Sequence, residues 1–404
     1  MSLGWSNSDS QLSEELLFLA NRFLEYYALK KTDDFKSVFQ DFCRDFGLFI
    51  PSNDAECLLI VLENHLTGFG PLSVFLNDES IEEIAVTGLS EKIFVFKKKQ
   101  GWVETSASID SKKYFFYLVN KLALGTGRRL ITSKSRIDFS TLKYRVHASV
   151  WPVCVKEIEL TIRRISETVF SLKDLVSFGT ISPEVASLIS LTAPCDSCIM
   201  IAGNTGSGKT TTLNSLFPFI PQKERFLVVE DSPEVLVIHK NSVKLAASNN
   251  ASLSELVKDG LRMRPDRLVL GEVRSSSEVA ALFDSLLSGQ AKAAYFTFHA
   301  ESAQHALNRL VFLGASIHDI SSIKLCVIQK RVTFISSEGV VEKRLVVDLA
   351  EFREGKAFSF FKNGVLDFHL LSKSKLVGDS CINYGISPKE FVSLIKENSI
   401  NFQS

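Results

Sequence analysis

The feature that most constrains this chain is a glycine-rich loop with the pattern G-x-x-x-x-G-K-[ST], which begins at Gly203 and ends at Thr210. An apolar run, 198–202, comes directly before it, and a helix-like stretch, 211–216, comes directly after it. Glycines let successive backbone N–H groups converge on phosphate oxygens, and the N-terminus of the following helix favours an anion. A strand, this loop and a helix in that order predict a phosphate-binding loop.

The loop predicts a nucleotide-binding protein. Lys209 is expected to reach the β- and γ-phosphates, and the Thr210 hydroxyl is expected to bind Mg²⁺. The predicted nucleotide-binding residues are Gly203, Asn204, Thr205, Gly206, Ser207, Gly208, Lys209, Thr210 and Thr211.

Length and charge narrow the class of protein. A chain of 404 residues has room for two or three domains, each with its own core. It has 46 Lys and Arg residues against 46 Asp and Glu residues, so its formal net charge is zero. That balance excludes a generally basic nucleic-acid binder but leaves room for a local basic patch.

Neither the apolar runs nor the cysteines indicate a membrane-spanning or secreted chain. The longest apolar runs, such as 57–62 and 198–202, are far shorter than the ~18–20 residues that span a bilayer. The first residues lack the charged region and apolar core of a signal peptide. The seven cysteines are scattered, so we expect no disulfide framework and a reducing, cytoplasmic location.

The pattern along the chain predicts several domains. From 181 to about 350, helical stretches alternate with short apolar runs that are typical of parallel strands buried on both faces. These runs are 198–202, 226–229, 268–270, 294–298 and 332–335. Upstream, strand-like runs at 84–87, 92–97 and 160–165 surround a helix at 112–124, which predicts a smaller α+β domain.

The two ends of the chain have simpler patterns. A helix is predicted over 12–29, and after 350 we expect a hairpin, 357–361 with 365–370, around Asn363-Gly364, and a final helix over 387–396. The predicted domains are a helical extension (1–65), the α+β domain (66–165), a linker (166–185), the nucleotide-binding domain (186–350) and a C-terminal appendage (351–404).

Acidic residues and a histidine follow three of the apolar runs. Glu230 and Asp231 follow 226–229, Glu272 follows 268–270, and His299 follows 294–298. Nucleotide hydrolysis needs an acidic residue at the end of a strand beside the loop, to orient water and hold the metal. Instead of a role in hydrolysis, Glu230 and Asp231 could cap a helix or lie in a solvated loop. His299 could instead be a core histidine whose ring nitrogens have hydrogen-bond partners.

Longer motifs make the chain resemble the secretion ATPases of type II and type IV systems and of type IV and archaeal pili, over about 66–350. They are RMRPDR (262–267) running into LVLGEVR (268–274), ERFLVVEDSPEV (224–235), TFHA (297–300), the stretch 68–88 and GRRL (127–130). The resemblance implies an α/β fold, in which a RecA-like P-loop NTPase domain with a parallel sheet follows a smaller α+β, PAS-like domain and a helical extension.

The resemblance also implies roles for five residues. Glu272 looks like the glutamate that polarises the attacking water, and Glu230 like a glutamate that assists with Mg²⁺ and water. His299 looks like the second histidine of the family's His box. Arg145 and Arg163 lie where the N-terminal domain of the family supplies arginines to phosphate. An ordinary surface or salt-bridge arginine is the alternative for each.

The chain also departs from the family pattern. Gln290 stands where the His box has its first histidine, and glutamine cannot become cationic. Lys292 lies in the following loop, and three serines, 275–277, precede Glu278. These changes put the rate of hydrolysis and the coupling between subunits in question more than nucleotide binding.

The function that the resemblance implies is an ATP-hydrolysing, Mg²⁺-dependent ring motor. It would be a homo-hexamer, cytoplasmic and peripheral at the membrane, and would act on a polytopic membrane platform protein to drive pilus assembly or protein export. Its substrates would be pilin-like or secreted proteins. A nucleotide-binding scaffold with weak hydrolysis is one alternative. A nucleic-acid translocase is another, although the zero net charge leads us to expect no nucleic-acid partner.

Overall fold

The computed structural model describes residues 5–7, 14–30, 34–97, 100–165, 168–248, 251–336, 339–362 and 364–403. The chain divides into two compact units, Met1–Ser166 and Glu167–Ser404. Within the described ranges, no helix combines the length and the apolar character needed to cross a membrane.

The first unit combines helices with an antiparallel sheet. Its elements are β1 (Trp5–Asn7), α1 (Glu14–Leu29), α2 (Phe35–Asp45), α3 (Ser52–Leu66), α4 (Leu72–Asn77), β2 (Ile81–Val86), β3 (Lys92–Lys97), β4 (Gly101–Ile109), α5 (Lys112–Leu122), β5 (Arg136–Ser140), β6 (Tyr144–Val150) and β7 (Ile158–Arg164).

The N-terminal helices α1, α2 and α3 pack around Phe23, which is fully buried. Its ring meets those of Phe35, Phe39 and Phe42 edge to face, at centroid distances of 5.3–5.4 Å. Aromatic pairs favour this geometry because the positive edge of one ring faces the negative face of the other. The predicted helix over 12–29 is therefore confirmed from Glu14 onward, and Leu12 lies outside the described residues.

The strands of the first unit form one sheet in the order β1-β4-β3-β2-β7-β6-β5, with every described pairing antiparallel. Apolar side chains alternate with polar ones and join α5 in a single core. The predicted strands and helix are confirmed, with ends that differ by at most three residues. Strands β1, β4, β5 and β6 were not predicted, because β1 is only three residues long and polar residues interrupt the apolar positions of the other three.

The second unit is built on a mixed sheet. Its elements are α6 (Leu172–Ser177), α7 (Pro183–Thr192), β8 (Cys198–Gly203), α8 (Lys209–Asn214), β9 (Phe226–Glu230), β10 (Ser242–Ala246), α9 (Leu253–Gly260), β11 (Arg267–Val273), α10 (Ser276–Leu287), β12 (Ala293–Phe298), α11 (Ala303–Phe312), α12 (Ile317–Ile320), β13 (Ile323–Ser336), β14 (Gly339–Arg353), β15 (Lys356–Ser359), β16 (Phe361–Lys362), β17 (Val365–Leu366), α13 (Phe368–Ser372), α14 (Lys375–Tyr384) and α15 (Pro388–Ser399).

The strand order of this sheet is β10-β9-β11-β12-β8-β13-β14-β15. The pairings from β10 to β13 are parallel, and those of β14 with β13 and with β15 are antiparallel. Buried side chains cover both faces of the parallel part, in two separate clusters. The expected α/β fold with a parallel sheet is confirmed.

The run 332–335 forms a strand, but the prediction that this strand is parallel and buried on both faces was wrong. The segment of β13 that pairs with β8 is Ile323–Gln329, and 332–335 belongs to an antiparallel ribbon with β14 that continues past the sheet. Phe334 is 42% exposed and Ile335 is 89% exposed. An apolar run alone does not distinguish a buried strand from an exposed one, and the charged residues Lys330 and Arg331 mark where the buried segment ends.

The segment after 350 shares the core of the second unit. Phe391 and Ile395 of α15 are fully buried in one of its clusters, and the Ser187 hydroxyl donates to the carbonyl of Ile395 at 2.8 Å. The final helix is confirmed. The predicted hairpin of 357–361 with 365–370 is wrong in its pairing, because β15 pairs with β14, and the short strands β16 and β17 pair with each other. The second strand ends at Leu366, because Asp367 caps α13 by accepting from two backbone N–H groups. Asn363 lies outside the described residues.

Arg267, at the start of β11, is the largest fully buried side chain of the described residues. Its guanidinium forms a paired contact with Glu224 and donates to the carbonyls of Cys195 at 2.8 Å and Pro194 at 2.9 Å. The guanidinium also donates to the hydroxyl of Tyr295 at 3.1 Å. A buried charge is tolerated when it is paired and hydrogen-bonded in this way. The last arginine of the RMRPDR motif is therefore structural.

We expect Arg267→Met to lower the free energy of unfolding by about 3–5 kcal/mol, because Glu224 would stay buried without its partner. Urea unfolding followed by circular dichroism measures this. The control is Lys292→Met, which removes an exposed ion pair with Asp266 and should cost less than about 1 kcal/mol. Equal losses in the two variants would contradict a structural role for the buried pair.

Candidate nucleotide-binding site

The glycine-rich loop connects β8 to α8 through a sharp turn. Gly206 and Gly208 have φ angles of +74° and +93°, in the left-handed region that side chains rarely adopt. A Cβ on Gly203 would lie 2.0 Å from the carbonyl oxygen of Gln329 on β13, so the backbone of the loop needs glycine there too. These constraints aim the N-terminus of α8 back over the carboxyl end of β8.

Lys209 is the first residue of α8, and its side chain is buried against the loop. Its ammonium donates to the carbonyls of Gly203 and Asn204, both at 3.1 Å. Burial lowers the pKa of Lys209, and the nearby Glu272 carboxylate opposes that shift. Thr210 and Thr211 follow in the first turn of the helix and are half-buried.

The loop has the features that a phosphate group with Mg²⁺ requires. The buried hydroxyl of Ser207 has no hydrogen-bond partner among the described residues. Within the described part of the chain, no cluster of three His, Cys, Asp or Glu residues is suited to hold a metal alone. Mg²⁺ usually takes only one or two protein ligands beside phosphate oxygens and water, so the Thr210 hydroxyl fits it.

Parallel strands bring the carboxyl ends of β9, β11 and β12 to the same edge as the loop. Glu272, near the end of β11, lies 2.7 Å from Nε2 of His299 through its Oε1 atom. Its Oε2 atom accepts from Arg274 Nη2 at 2.5 Å. Burial alone would raise the pKa of Glu272, but the guanidinium of Arg274 holds it below its usual value. The carboxylate is therefore ionised near neutral pH.

His299 directly follows β12 and is half-buried. Burial lowers its pKa from 6.5, although the Glu272 carboxylate favours the protonated ring. Its backbone carbonyl accepts from Arg309 Nη1 at 2.6 Å, which ties the end of β12 to α11. The ring therefore lies next to the Glu272 carboxylate, and its lowered pKa favours the neutral form at pH 7.

Glu230, the last residue of β9, is almost fully buried. Its Oε1 atom accepts from the backbone N–H groups of Glu234 at 2.9 Å and Val235 at 2.7 Å. Burial raises the pKa of Glu230 to about 7, and these two N–H groups oppose the rise. The carboxyl thus stabilises the loop after β9 from a buried position and caps no helix, and no hydrogen bond to its Oε2 atom is found among the described residues.

The structure brings Arg274 into the site, which sequence reasoning did not assign a role. Besides its contact with Glu272, its Nη1 atom lies 3.3 Å from Asp231. The guanidinium thus connects the carboxylates that follow β9 and β11. The sequence could have indicated this role, because Arg274 ends the LVLGEVR motif two residues after Glu272.

Gln329 and Arg344, on β13 and β14, also contact the loop. Arg344 Nε donates to the carbonyl of Gly206 at 3.1 Å, and Gln329 lies beside Gly203 and Gly208. Neither residue belongs to a motif near the loop in sequence, since more than 120 positions separate Gly203 from Gln329. Only the strand order places them there.

Arg145 and Arg163 lie in the other unit, directly opposite each other on β6 and β7. Both side chains are exposed, and Glu83 on β2 lies opposite Arg163. Like charges placed opposite each other on neighbouring strands are unfavourable, and Glu83 places an opposite charge beside Arg163. Their assignment to phosphate stays a prediction.

Gln290 is exposed in the turn before β12, whereas His299 follows the other end of that strand. The six residues of β12 separate the two positions by about 20 Å. Lys292, in the same turn, pairs with Asp266 at 3.0 Å. The altered first position of the His box is therefore remote from Glu272 within this unit.

The pKa of Glu230 predicts a pH-dependent stability. A carboxyl with a raised pKa stabilises the fold fully below about 4.5, and this contribution is lost as the pH rises through about 7. Between pH 5 and pH 8, the protein without nucleotide should lose up to about 3 kcal/mol relative to Glu230→Gln. Urea unfolding at both pH values measures this.

Glu272→Gln is the control, because the pKa of Glu272 is lowered and its contribution is lost only as the pH falls below 4.5. The same pH profile for wild-type protein and Glu230→Gln would show that Glu230 is ionised in the folded state throughout this range.

Comparison with known proteins gives the family. Residues 127–355 match the sequence profile described as Type II/IV secretion system protein. An uncharacterized protein of Methanocaldococcus jannaschii is 30% identical over 66% of this chain, although the match spans only 38% of that relative's length. A putative conjugal transfer protein of Mycobacterium tuberculosis is 31% identical over 65% of this chain and 78% of its own length.

A solved structure agrees with the fold. The ATPase DotB of Legionella pneumophila matches 84% of this chain and 87% of its own with a TM-score of 0.52, at 19% identity. Likeness at this identity concerns the fold, whereas the sequence profile covers more than half of the chain. The chain therefore belongs to the Type II/IV secretion system protein family.

Proposed function

We propose that this protein hydrolyses ATP and uses the energy to power a secretion or pilus-assembly machine. The observation that carries the proposal is the position of Glu272, an ionised carboxylate next to His299, on the same sheet edge as the glycine-rich loop with Lys209. ATP would bind with its phosphates in the loop and its γ-phosphate toward that edge.

The residues of this edge suit the hydrolysis of a phosphoanhydride. Glu272 would accept a proton from water as the water oxygen bonds to the γ-phosphorus, while the bond from that phosphorus to the bridging oxygen breaks. Neutral His299 would hydrogen-bond the γ-phosphate, and Lys209 would neutralise the charge that develops on the leaving oxygen. Arg274 would keep the Glu272 carboxylate oriented.

A bound Mg²⁺ would supply positive charge that offsets part of the negative charge of the phosphates. Thr210 would hold it through the side-chain hydroxyl. Glu230 would assist through its Oε2 atom, which the hydrogen bonds from Glu234 and Val235 leave uncovered. Positive charge near Oε2 would favour the ionised form of Glu230.

The working assembly that we propose is a homo-hexameric ring, cytoplasmic and peripheral at the membrane, that acts on a polytopic membrane platform protein. Family membership supports this assembly. Pilin-like or secreted proteins would be the cargo. The alternatives are a nucleotide-binding scaffold, favoured by tight ATP binding without phosphate release, and a nucleic-acid translocase, favoured by hydrolysis that DNA stimulates.

Glu272→Gln should abolish turnover, with a loss of at least about 100-fold in phosphate release, because glutamine cannot accept the proton from water. ATP binding should be largely retained, since Lys209 and the loop are unchanged. Phosphate release is measured at high protein concentration with Mg²⁺ and lipid. Glu255→Gln, at the exposed cap of α9, is the control and should be active. The proposal would be contradicted if the wild-type protein released no phosphate, or if Glu272→Gln released it as fast as the wild-type protein does.

Arg145→Ala and Arg163→Ala should cut hydrolysis by about 100-fold while sparing nucleotide binding, because charge neutralisation matters most in the transition state. Titration with labelled ATP and phosphate release separate the two effects. Arg136→Ala changes an exposed arginine on the neighbouring strand β5 and should leave both unchanged. Equal losses of binding and rate would show that Arg145 and Arg163 bind the ground state or support the fold.

A further inference from the structure

Gln329 is a polar side chain in an otherwise apolar segment of β13. It is almost fully buried and ends the pairing between β13 and β8, opposite Gly203. A buried amide is costly unless its oxygen and nitrogen have hydrogen-bond partners. The groups next to this amide therefore indicate why a glutamine lies here.

The amide oxygen of Gln329 accepts a hydrogen bond from the Thr212 hydroxyl at 2.8 Å. Thr212 is fully buried in the first turn of α8, three residues after Lys209. This bond fixes the orientation of the amide, so that its nitrogen faces Gly208. A Cβ on Gly208 would lie 3.0 Å from Nε2 of Gln329.

The same ribbon contacts the loop at two further glycines. The backbone oxygen of Gln329 lies against Gly203, where a Cβ would come within 2.0 Å. On the neighbouring strand, Arg344 Nε donates to the carbonyl of Gly206 at 3.1 Å. The loop is thus fixed near its start, middle and end by β13 and β14, although it belongs to β8 and α8.

We propose that Gln329 is a positioning residue for nucleotide binding, which acts through Thr212 and Gly208 on the loop. The hydrogen bond to Thr212 fixes the first turn of α8, and contact with Gly208 fixes the left-handed residue just before Lys209. Together they set the direction of the Lys209 ammonium and of the N–H groups that receive the phosphates. The inference rests on the proposed nucleotide site.

The test is MgADP binding to the full chain, measured by isothermal titration calorimetry together with the melting temperature. Thr212→Val and Gln329→Leu should each weaken binding about tenfold, because each leaves the loop without the shared hydrogen bond. The double variant should bind no more weakly than the weaker single variant, since both changes remove the same interaction. Thr212→Ser retains the hydroxyl and should bind like the wild-type protein.

Ser215→Ala is the matched control. The Ser215 hydroxyl is equally buried on the same stretch of chain and donates to the carbonyl of Thr212 at 2.7 Å, without reaching Gln329. It should lower the melting temperature and leave the affinity for ADP unchanged. Thr212→Val with wild-type affinity, or additive effects in the double variant, would overturn the inference. If Gln329→Leu does not fold, the test is the comparison of the ADP affinities of Thr212→Val and Thr212→Ser.

This test is separate from that of the motor function. Wild-type protein that binds ADP but releases no phosphate from ATP contradicts the motor and leaves the role of Gln329 to be decided by these variants. Wild-type protein that does not bind ADP overturns both.

Discussion

The second unit depends on one sharp turn, in which the chain leaves β8, passes two glycines in the left-handed region and enters α8 at Lys209. The turn reverses the chain direction within a few residues, so the N-terminus of α8 and the carboxyl end of β8 face the same space. Since β9, β11 and β12 run parallel to β8, their carboxyl ends reach that space as well. A carboxylate that follows any of these strands therefore lies near the loop in space, although it is distant from the loop in sequence.

The two glutamates at that edge have pKa values that are shifted in opposite directions. Glu272 lies between Arg274 and His299, and the guanidinium of Arg274 keeps its pKa low despite its burial, which suits the proton acceptor that we propose. Glu230 is more deeply buried, and within the described ranges its hydrogen-bond partners are two backbone N–H groups, so burial raises its pKa to about 7. Its protonation thus depends on the charge beside it, which suits a residue that assists when metal and phosphate are present. Two similar side chains thus differ through their neighbours alone.

Much of this arrangement was predictable, because it is encoded in contiguous runs. The loop motif, the apolar run before Glu272 and the run before His299 each combine a buried strand with a polar residue at its end, and neighbouring residues suffice to recognise them. Arg274, Gln329 and Arg344 were not predicted as site residues, because their positions follow from strand order and side-chain direction. The run 332–335 shows the converse error, since its apolar residues resemble a buried strand but lie in a ribbon beyond the sheet.

The most direct test of the account is a crystal structure of the full chain with Mg²⁺ and a non-hydrolysable ATP analogue. The account predicts phosphates within the loop, the Lys209 ammonium on the β- and γ-phosphates, the metal on the Thr210 hydroxyl, and a water between the Glu272 carboxylate and the γ-phosphorus. An analogue bound with its γ-phosphate directed away from Glu272, or a loop without phosphate at a saturating concentration of the analogue, would contradict the central claim that this sheet edge hydrolyses ATP.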